Sequence, residues 1–299
     1  MRVAVTGGSG FVGGALVSAL LARGDEVWIV TRSTGHVERS DPKLHVITWE
    51  DMAAKPERLE GVQAVVNLAG ESIDQRWTSE SKERIVKSRT DAADRVARLV
   101  RALQRGPEVV VNASGISYYG TSETARFDES SPQRITDFLS SVVDKWEKAA
   151  EEIPVPRLVK LRVGVVLDSE GGAFPKMAMP YRLFGGGPVG SGRQWLPWIH
   201  LEDIVRLILF CIDNPAIEGP VNASAPEPVT NDRFGRAIAR AMRRPHWFPV
   251  PAFLMKALFG EMSVVLLDGQ HAVPRRALDA GFAFRYPDID TAMQELVGG

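Results

Sequence analysis

The chain of 299 residues has one cysteine and five scattered histidines. A single cysteine cannot close an internal disulfide, and histidines without i, i+4 pairing supply no metal-ligand cluster. Cys211 sits in the apolar run Ile208-Leu209-Phe210-Cys211-Ile212 and reads as a core residue rather than a nucleophile. An excess of charge of one sign is also missing. A formal net charge of −1 argues against nucleic acid or a membrane surface as a partner. The densest basic run, Arg233, Arg236, Arg240, Arg243 and Arg244, recurs at helical spacing and reads as a solvated helix face. No uncharged apolar run reaches membrane-spanning length, and the first residues pattern as a strand rather than a signal peptide. The expectation is a reducing, soluble compartment, most simply the cytoplasm. What is present, a 44% hydrophobic composition, suffices for one large α/β domain or one and a half.

The most informative stretch is MRVAVTGGSGFVG at residues 1–13. The apolar run Val3–Val5 leads into glycines, and a helical pattern (Ala15, Leu16, Leu20, Leu21) follows at once. Strand, glycine turn, helix is the order a dinucleotide site requires. Gly7 permits the tight turn, Gly10 lets backbone N–H groups approach a pyrophosphate, and Gly13 removes a side chain where helix meets strand. Phe11 and Val12 complete the helix N-terminus that faces the anion.

Short β-branched runs near 2–6, 27–31, 44–48, 63–68, 108–113 and 157–163 alternate with helical patterns at 11–23, 79–104 and 137–152. That alternation predicts a doubly wound parallel sheet with ligands at the carboxyl ends of the strands. Residues 168–199 are rich in glycine, proline and aromatics with little periodicity, and read as a long functional loop or lid. The glycine cluster Gly185–Gly192 lacks a preceding strand and reads as a substrate-side loop. A helix at 200–212 and a strand at 217–223 return to the sheet, and helices near 231–243 and 251–267 form a cap. Residues 1–167 with 200–225 are therefore expected to form the nucleotide lobe, and 168–199 with 226–299 a smaller substrate lobe.

The second strand ends Ile29-Val30-Thr31-Arg32-Ser33, with no carboxylate before Glu38. Sites for the unphosphorylated cofactor place an acidic residue there to bond the ribose 2′-hydroxyl. Arg32 instead offers a planar fork for a 2′-phosphate, with a hydroxyl on either side. This favours NADP(H).

With those residues placed, the chain resembles the extended short-chain dehydrogenase/reductases, the superfamily of NAD-dependent epimerases and dehydratases. TGGSGFVG, VVNLAG, NASGISYYG, LRVGVVL and WIHLEDIV occur in order. More narrowly it resembles an uncharacterised epimerase-like branch with its own C-terminal domain, through LAGESI, KSR, GPVGSGRQW, PWIH and the GEM-containing tail. The resemblance implies a Rossmann-type α/β fold. It implies that Gly7, Gly10 and Gly13 hold the pyrophosphate and that Thr31 and Arg32 hold the 2′-phosphate. Leu68, Ala69 and Gly70 would line the ribose, the helix 79–104 would bring Arg84 and Arg89 toward the nicotinamide half, and Val163 would stand beside the nicotinamide. In many relatives helices 79–104 and 137–152 form a dimer contact. Val96, Leu99, Val100 and Leu103 would serve such a homodimer or pack on the sheet.

Catalysis departs from the family pattern. A tyrosine with a lysine four residues later normally moves the proton, the lysine lowering the tyrosine pKa. Aligned on Glu147, those positions are Leu139 and Val143. The remaining proton-transfer candidates are Ser114 and Tyr118, beside Gly115, Ser117 and Tyr119-Gly120. His200, Glu202 and Asp203 at a helix start, Arg193 after the glycine loop, and Trp77, Trp195 and Trp198 are further polar or stacking candidates, with structural roles equally open. Three readings follow: an NADP(H)-dependent oxidoreductase or sugar-nucleotide-epimerase-like enzyme for a small substrate (phosphorylated or nucleotide-linked among the options), a non-catalytic NADP(H) sensor, or a structural or interaction protein that uses only the fold.

Overall fold

A computed structural model describes residues 1–35 and 41–298; Glu38 lies outside them. Seven strands form one sheet: β1 (Arg2–Thr6), β2 (Glu26–Thr31), β3 (Leu44–Thr48), β4 (Ala64–Asn67), β5 (Val109–Gly115), β6 (Arg157–Val163) and β7 (Gly219–Ala223). Their order is β7-β6-β5-β4-β1-β2-β3, every pairing parallel. The central strands are short β-branched runs because helices cover both faces, and no polar alternation is needed. The order reverses between β1 and β4, which opens a crevice at their carboxyl ends.

Helices α1 (Phe11–Ala22), α2 (Trp49–Ala54), α3 (Ser79–Ala102), α4 (Phe138–Glu151), α5 (Phe174–Arg182), α6 (Leu201–Asp213), α7 (Asn231–Met242), α8 (Ala252–Phe259) and α9 (Ile289–Gly298) follow in chain order, with shorter helical turns between them. Leu16, Val17 and Leu20 of α1 pack with Ile204, Val205 and Ile208 of α6 on Val3 and Val5. Ala92, Val96 and Leu99 of α3 pack with Ala150 of α4 and Trp49 of α2 on Ala4 and Val65. Asp137 starts α4 through a capping box with Ser140. Val96, Leu99, Val100 and Leu103 are all buried in this chain's own core, so the sheet-packing alternative accounts for them. Cys211 is fully buried, and burial pushes its thiol up to about 12.

The segment 168–199 differs from the expected long loop. It contains α5 and two short strands, Trp195–Leu196 and Trp198–His200. Phe174, Ala178 and Tyr181 of α5 supply a buried i, i+4, i+7 face, a short period that Pro175 and Pro180 obscure in the sequence. Phe174 and Tyr181 join Phe234, Ile238, Tyr286 and Met293 in a separate C-terminal core that also takes Leu167 and Trp198. The helix expected at 251–267 is broken at Gly260, whose φ of 57° ends α8. The basic run on α7 is largely tied down: Arg233 and Arg240 both bond Asp290 of α9, and Arg236 bonds Asp232.

Candidate functional site

The glycine turn has the geometry its spacing suggests. Gly7 has a φ of 69°, and a Cβ there would lie 2.8 Å from the Leu68 carbonyl carbon. At Gly13 a Cβ would fall 2.1 Å from the Gly7 oxygen, whereas at Gly10 it would meet only that oxygen, at 3.2 Å. The first and last glycines thus serve close backbone packing, and the middle one leaves open space above the turn. Gly13→Ala should therefore cost about 1–3 kcal/mol in a urea melt, and Gly10→Ala about 1 kcal/mol at most. Equal costs would show that the turn geometry is not the constraint.

Gly10 caps α1 without a side-chain hydrogen bond, and the first turn of α1 carries no acidic residue. By contrast α2, α3, α6 and α7 have Glu50 and Asp51, Glu80, Glu202 and Asp203, and Asp232 in their first turns. Among the described residues no acceptor takes the N–H groups of Phe11, Val12 and Gly13, which leaves them to an external anion. A dinucleotide pyrophosphate fits this cradle.

Leu68 and Ala69 lie against Gly7, held by a buried polar chain. Thr6 Oγ1 donates to Asn67 Oδ1 at 2.5 Å, Asn67 Nδ2 donates to Asn112 Oδ1 at 2.6 Å, and the Ala69 N–H donates to Thr6 Oγ1 at 3.2 Å. Gly70 rests on the Arg89 guanidinium, where a Cβ would approach its carbon to 3.2 Å. Arg89 donates to the backbone oxygens of Glu71 and Ile85 at 3.0 and 2.9 Å and hydrogen-bonds no carboxylate among the described residues. Burial pulls its pKa down to about 10, still protonated at neutral pH. Arg84 pairs with Glu71 at 3.0 Å. Hydrogen bonds from Gln75 and Arg84 hold the Glu71 carboxyl below its usual range, and the charge of Arg32 adds to this, which brings the end of β2 to the same mouth. Arg32 itself is exposed and makes no hydrogen bond or ion pair among the described residues. Thr31 Oγ1 turns toward Ser33. Val163 pairs with Gly115 and with Ala223 across the sheet.

The candidate proton-transfer residues are separated in role. Ser114 is buried, and its hydroxyl donates to Glu147 Oε1 at 2.7 Å. Glu147 also receives two hydrogen bonds from Arg162, at 2.8 and 3.0 Å, and an ion pair from Lys160 at 3.3 Å. Burial alone would raise the Glu147 carboxyl, but Arg162, Ser114 and Lys160 hold it below the ordinary value. Arg162 continues to the Tyr119 hydroxyl at 2.9 Å, which donates to Asn222 Oδ1 at 2.7 Å. Burial pushes the Tyr119 phenol up to about 12, so that residue stays a neutral structural donor. Tyr118 lies face-on to Arg162, its ring centroid 3.3 Å from the guanidinium carbon, and its hydroxyl has no hydrogen-bond partner among the described residues.

Leu139 packs against the buried cluster of Trp77, Ile85 and Val142, and Val143 lies 3.1 Å from where a Gly115 Cβ would be. The place of the family's tyrosine and lysine is thus apolar and filled.

His200, Asp203 and the tryptophans among the other candidates make capping or packing contacts. His200 caps α6 and reaches Glu295 at 2.8 Å; buried Asp203 accepts the Arg285 and Tyr286 amides. Trp77 and Trp198 are buried, Trp195 packs on His271 with ring centroids 4.2 Å apart, and Arg193 stays exposed. The described residues hold no group of histidine, cysteine or carboxylates suited to a metal ion. Among them, no helix is long and apolar enough to cross a membrane.

Glu147, Arg162, Lys160 and Tyr119 form the network that motif reasoning passed over. The signal was available in Arg157-Leu158-Val159-Lys160-Leu161-Arg162-Val163, where charges inside a buried strand demand partners.

A glycine turn facing the switch point of a doubly wound sheet defines a Rossmann-type nucleotide-binding protein. Residues 3–137 match the NAD dependent epimerase/dehydratase family, and residues 250–296 match a domain of unknown function, DUF1731. Epimerase family protein YfhF of Bacillus subtilis is 40% identical over 99% of this chain and 98% of its own. The human epimerase family protein SDR39U1, in a crystal structure with NADPH, is 37% identical with a TM-score of 0.91 over 100% of both chains. A UDP-glucose 4-epimerase of Thermus thermophilus in complex with NAD, 18% identical over 100% of this chain and 98% of its own, shares the fold at a TM-score of 0.76. The chain belongs to this epimerase family, and its C-terminal segment is of the DUF1731 type.

Proposed function

We propose that this chain is an NADP(H)-binding, epimerase-like oxidoreductase acting on a small substrate. Residues 1–167 and 200–225 form its cofactor lobe, and 168–199 with 226–299 its substrate lobe. The observation that carries the reading is the α1 cradle, uncapped and free of acidic residues, with Arg32 unpaired among the described residues at the adjacent strand end. The NADPH bound to the human relative supports the choice of cofactor.

In this reading Gly7, Gly10, Phe11, Val12 and Gly13 hold the pyrophosphate through backbone amides, and Thr31 and Arg32 hold the 2′-phosphate. Leu68, Ala69 and Gly70 bound the ribose, Arg84 and Arg89 supply positive charge toward the nicotinamide half, and Val163 stands beside that ring. Bound nicotinamide supplies hydride chemistry. Tyr118 handles the substrate proton, its ring held face-on against the buried Arg162 guanidinium and its hydroxyl left without a partner among the described residues. Ser114, its proton committed to Glu147, is left to accept a hydrogen bond from the substrate or to hold the strand end.

Calorimetry with NADPH tests the cofactor assignment: no heat at millimolar coenzyme with folded protein refutes it. Tyr118→Phe should lower NADPH turnover on a carbonyl panel by about 100-fold, in line with loss of a general acid, while leaving NADPH affinity intact. The apolar Leu139 and Val143 positions favour a second reading, a sensor that binds NADP(H) without turnover. Tight NADPH binding with no turnover on any carbonyl, and altered protease cleavage within 168–199, would establish it.

A further inference from the structure

The C-terminal lobe exposes an apolar surface that the cofactor chemistry does not use. No residue of α8, Ala-Phe-Leu-Met-Lys-Ala-Leu-Phe, is buried. Phe253 is 73% exposed and Leu258 66%, and beside them stand Trp247 at 70% and Leu183 at 74%, with Phe184 and Phe248 also exposed. These side chains belong to one tract. The Trp247 indole N–H donates to the Phe184 carbonyl at 3.0 Å, the Trp247 and Phe248 amides both donate to the Gly186 oxygen, and α8 follows directly after Pro251. Gly187 is required there, because a Cβ would fall 2.1 Å from the Phe248 oxygen. Together they present on the order of 1,000 Å² of apolar side chain, well above the roughly 300–600 Å² patches ordinary on a monomer. A two-turn helix with no buried face is marginal in water, so its apolar surface calls for a partner phase.

Cations flank the aromatic end of this tract, although the Asp268 carboxylate lies within electrostatic reach of Lys256. Lys256 is the only charged residue of α8. Arg182, Arg243 and Arg244 share a surface cavity of about 460 Å³, and the Arg244 guanidinium carbon sits 4.2 Å from the Phe184 ring centroid. Arg182 and Arg243 lie at the C-terminal ends of α5 and α7, whose dipoles favour cations. Even so, none of the three has a carboxylate partner among the described residues, whereas Arg233, Arg236 and Arg240 on the same α7 are all paired. Arg243 also adopts a left-handed backbone, φ 54°, unusual for a side chain of its size. A net charge near zero conceals this local concentration. Exposed aromatics rimmed by unneutralised cations are the pattern of a protein face that rests in the headgroup layer of an anionic bilayer. A second copy of the chain would set the same cations against one another.

We propose that α8, with Leu183, Phe184, Trp247 and Phe248, docks this protein on the surface of an anionic lipid bilayer. The full chain is sedimented with vesicles of phosphatidylcholine alone and of phosphatidylcholine with roughly a quarter phosphatidylglycerol. The expected result is at least about tenfold tighter binding to the anionic vesicles, weakened when salt shrinks the Debye length from about 10 Å to about 3 Å. Phe253→Ser/Leu258→Ser should abolish binding at both salts. Arg243→Glu/Arg244→Glu should abolish the preference for phosphatidylglycerol, with each variant's thermal midpoint within a few degrees of the parent because the sites are exposed. Failure to sediment with either vesicle overturns the proposal. So does light scattering that shows a dimer split by Phe253→Ser/Leu258→Ser without any vesicle binding, which would assign the face to a second copy.

Discussion

Glu147→Gln is expected to destabilise the fold by about 3–5 kcal/mol, because it leaves the buried Arg162 guanidinium without its carboxylate. For a chain of this size that is a fall of on the order of 10 °C in thermal midpoint. The double variant Glu147→Gln/Arg162→Met should recover more than half of the loss, since removing both charges also removes the uncompensated one. A single variant as stable as the parent would show that the pair contributes nothing.

The same pair predicts an acid limb. Burial works to raise the Glu147 carboxyl, but the Arg162 hydrogen bonds and charge overcome it and hold the folded value below the ordinary 4.5. A carboxylate held lower in the folded state adds stability that is complete above that ordinary value and is lost as pH falls through the folded one. The parent should therefore lose stability more steeply below about pH 4.5 than the double variant does, as followed by urea midpoints across pH.

Arg32→Asp is the second large effect. Under the proposed cofactor assignment it removes a charge-assisted fork from the 2′-phosphate and sets a carboxylate against it. NADPH affinity should fall on the order of 100-fold in calorimetry, from roughly 3 kcal/mol of lost interaction. NADH has no 2′-phosphate, so its affinity should change by no more than about threefold. Because Arg32 is exposed and bonds no described residue, the fold should be unaffected. Equal losses for both coenzymes would place the 2′-phosphate elsewhere.

Much of the architecture was legible because its causes are local. β-branched runs such as Val109–Val111 and the apolar spacing of α1 and α3 announce strands and helices from a few neighbouring residues. Where local punctuation competes with period, the reading failed: prolines masked α5, and Gly260 cut the expected 251–267 helix. Motif reasoning also left Arg162 and Lys160 unassigned, since a charge in a strand announces a need but not the partner that meets it.

The sequence by itself determined the glycine turn, the parallel strand–helix alternation, the missing tyrosine–lysine pair and the arginine at the end of β2. Each depends on backbone freedom, side-chain periodicity or residue type within a few positions. Only the tertiary structure decided that Ser114 is bonded to Glu147, 33 residues away, and that Tyr119 reaches Asn222, 103 residues away. It alone stacked Tyr118 on Arg162 and left α8 without a buried face. Those outcomes depend on which elements meet when the sheet closes and on whether a buried charge finds its counter-ion, and neither is encoded in any short stretch of chain.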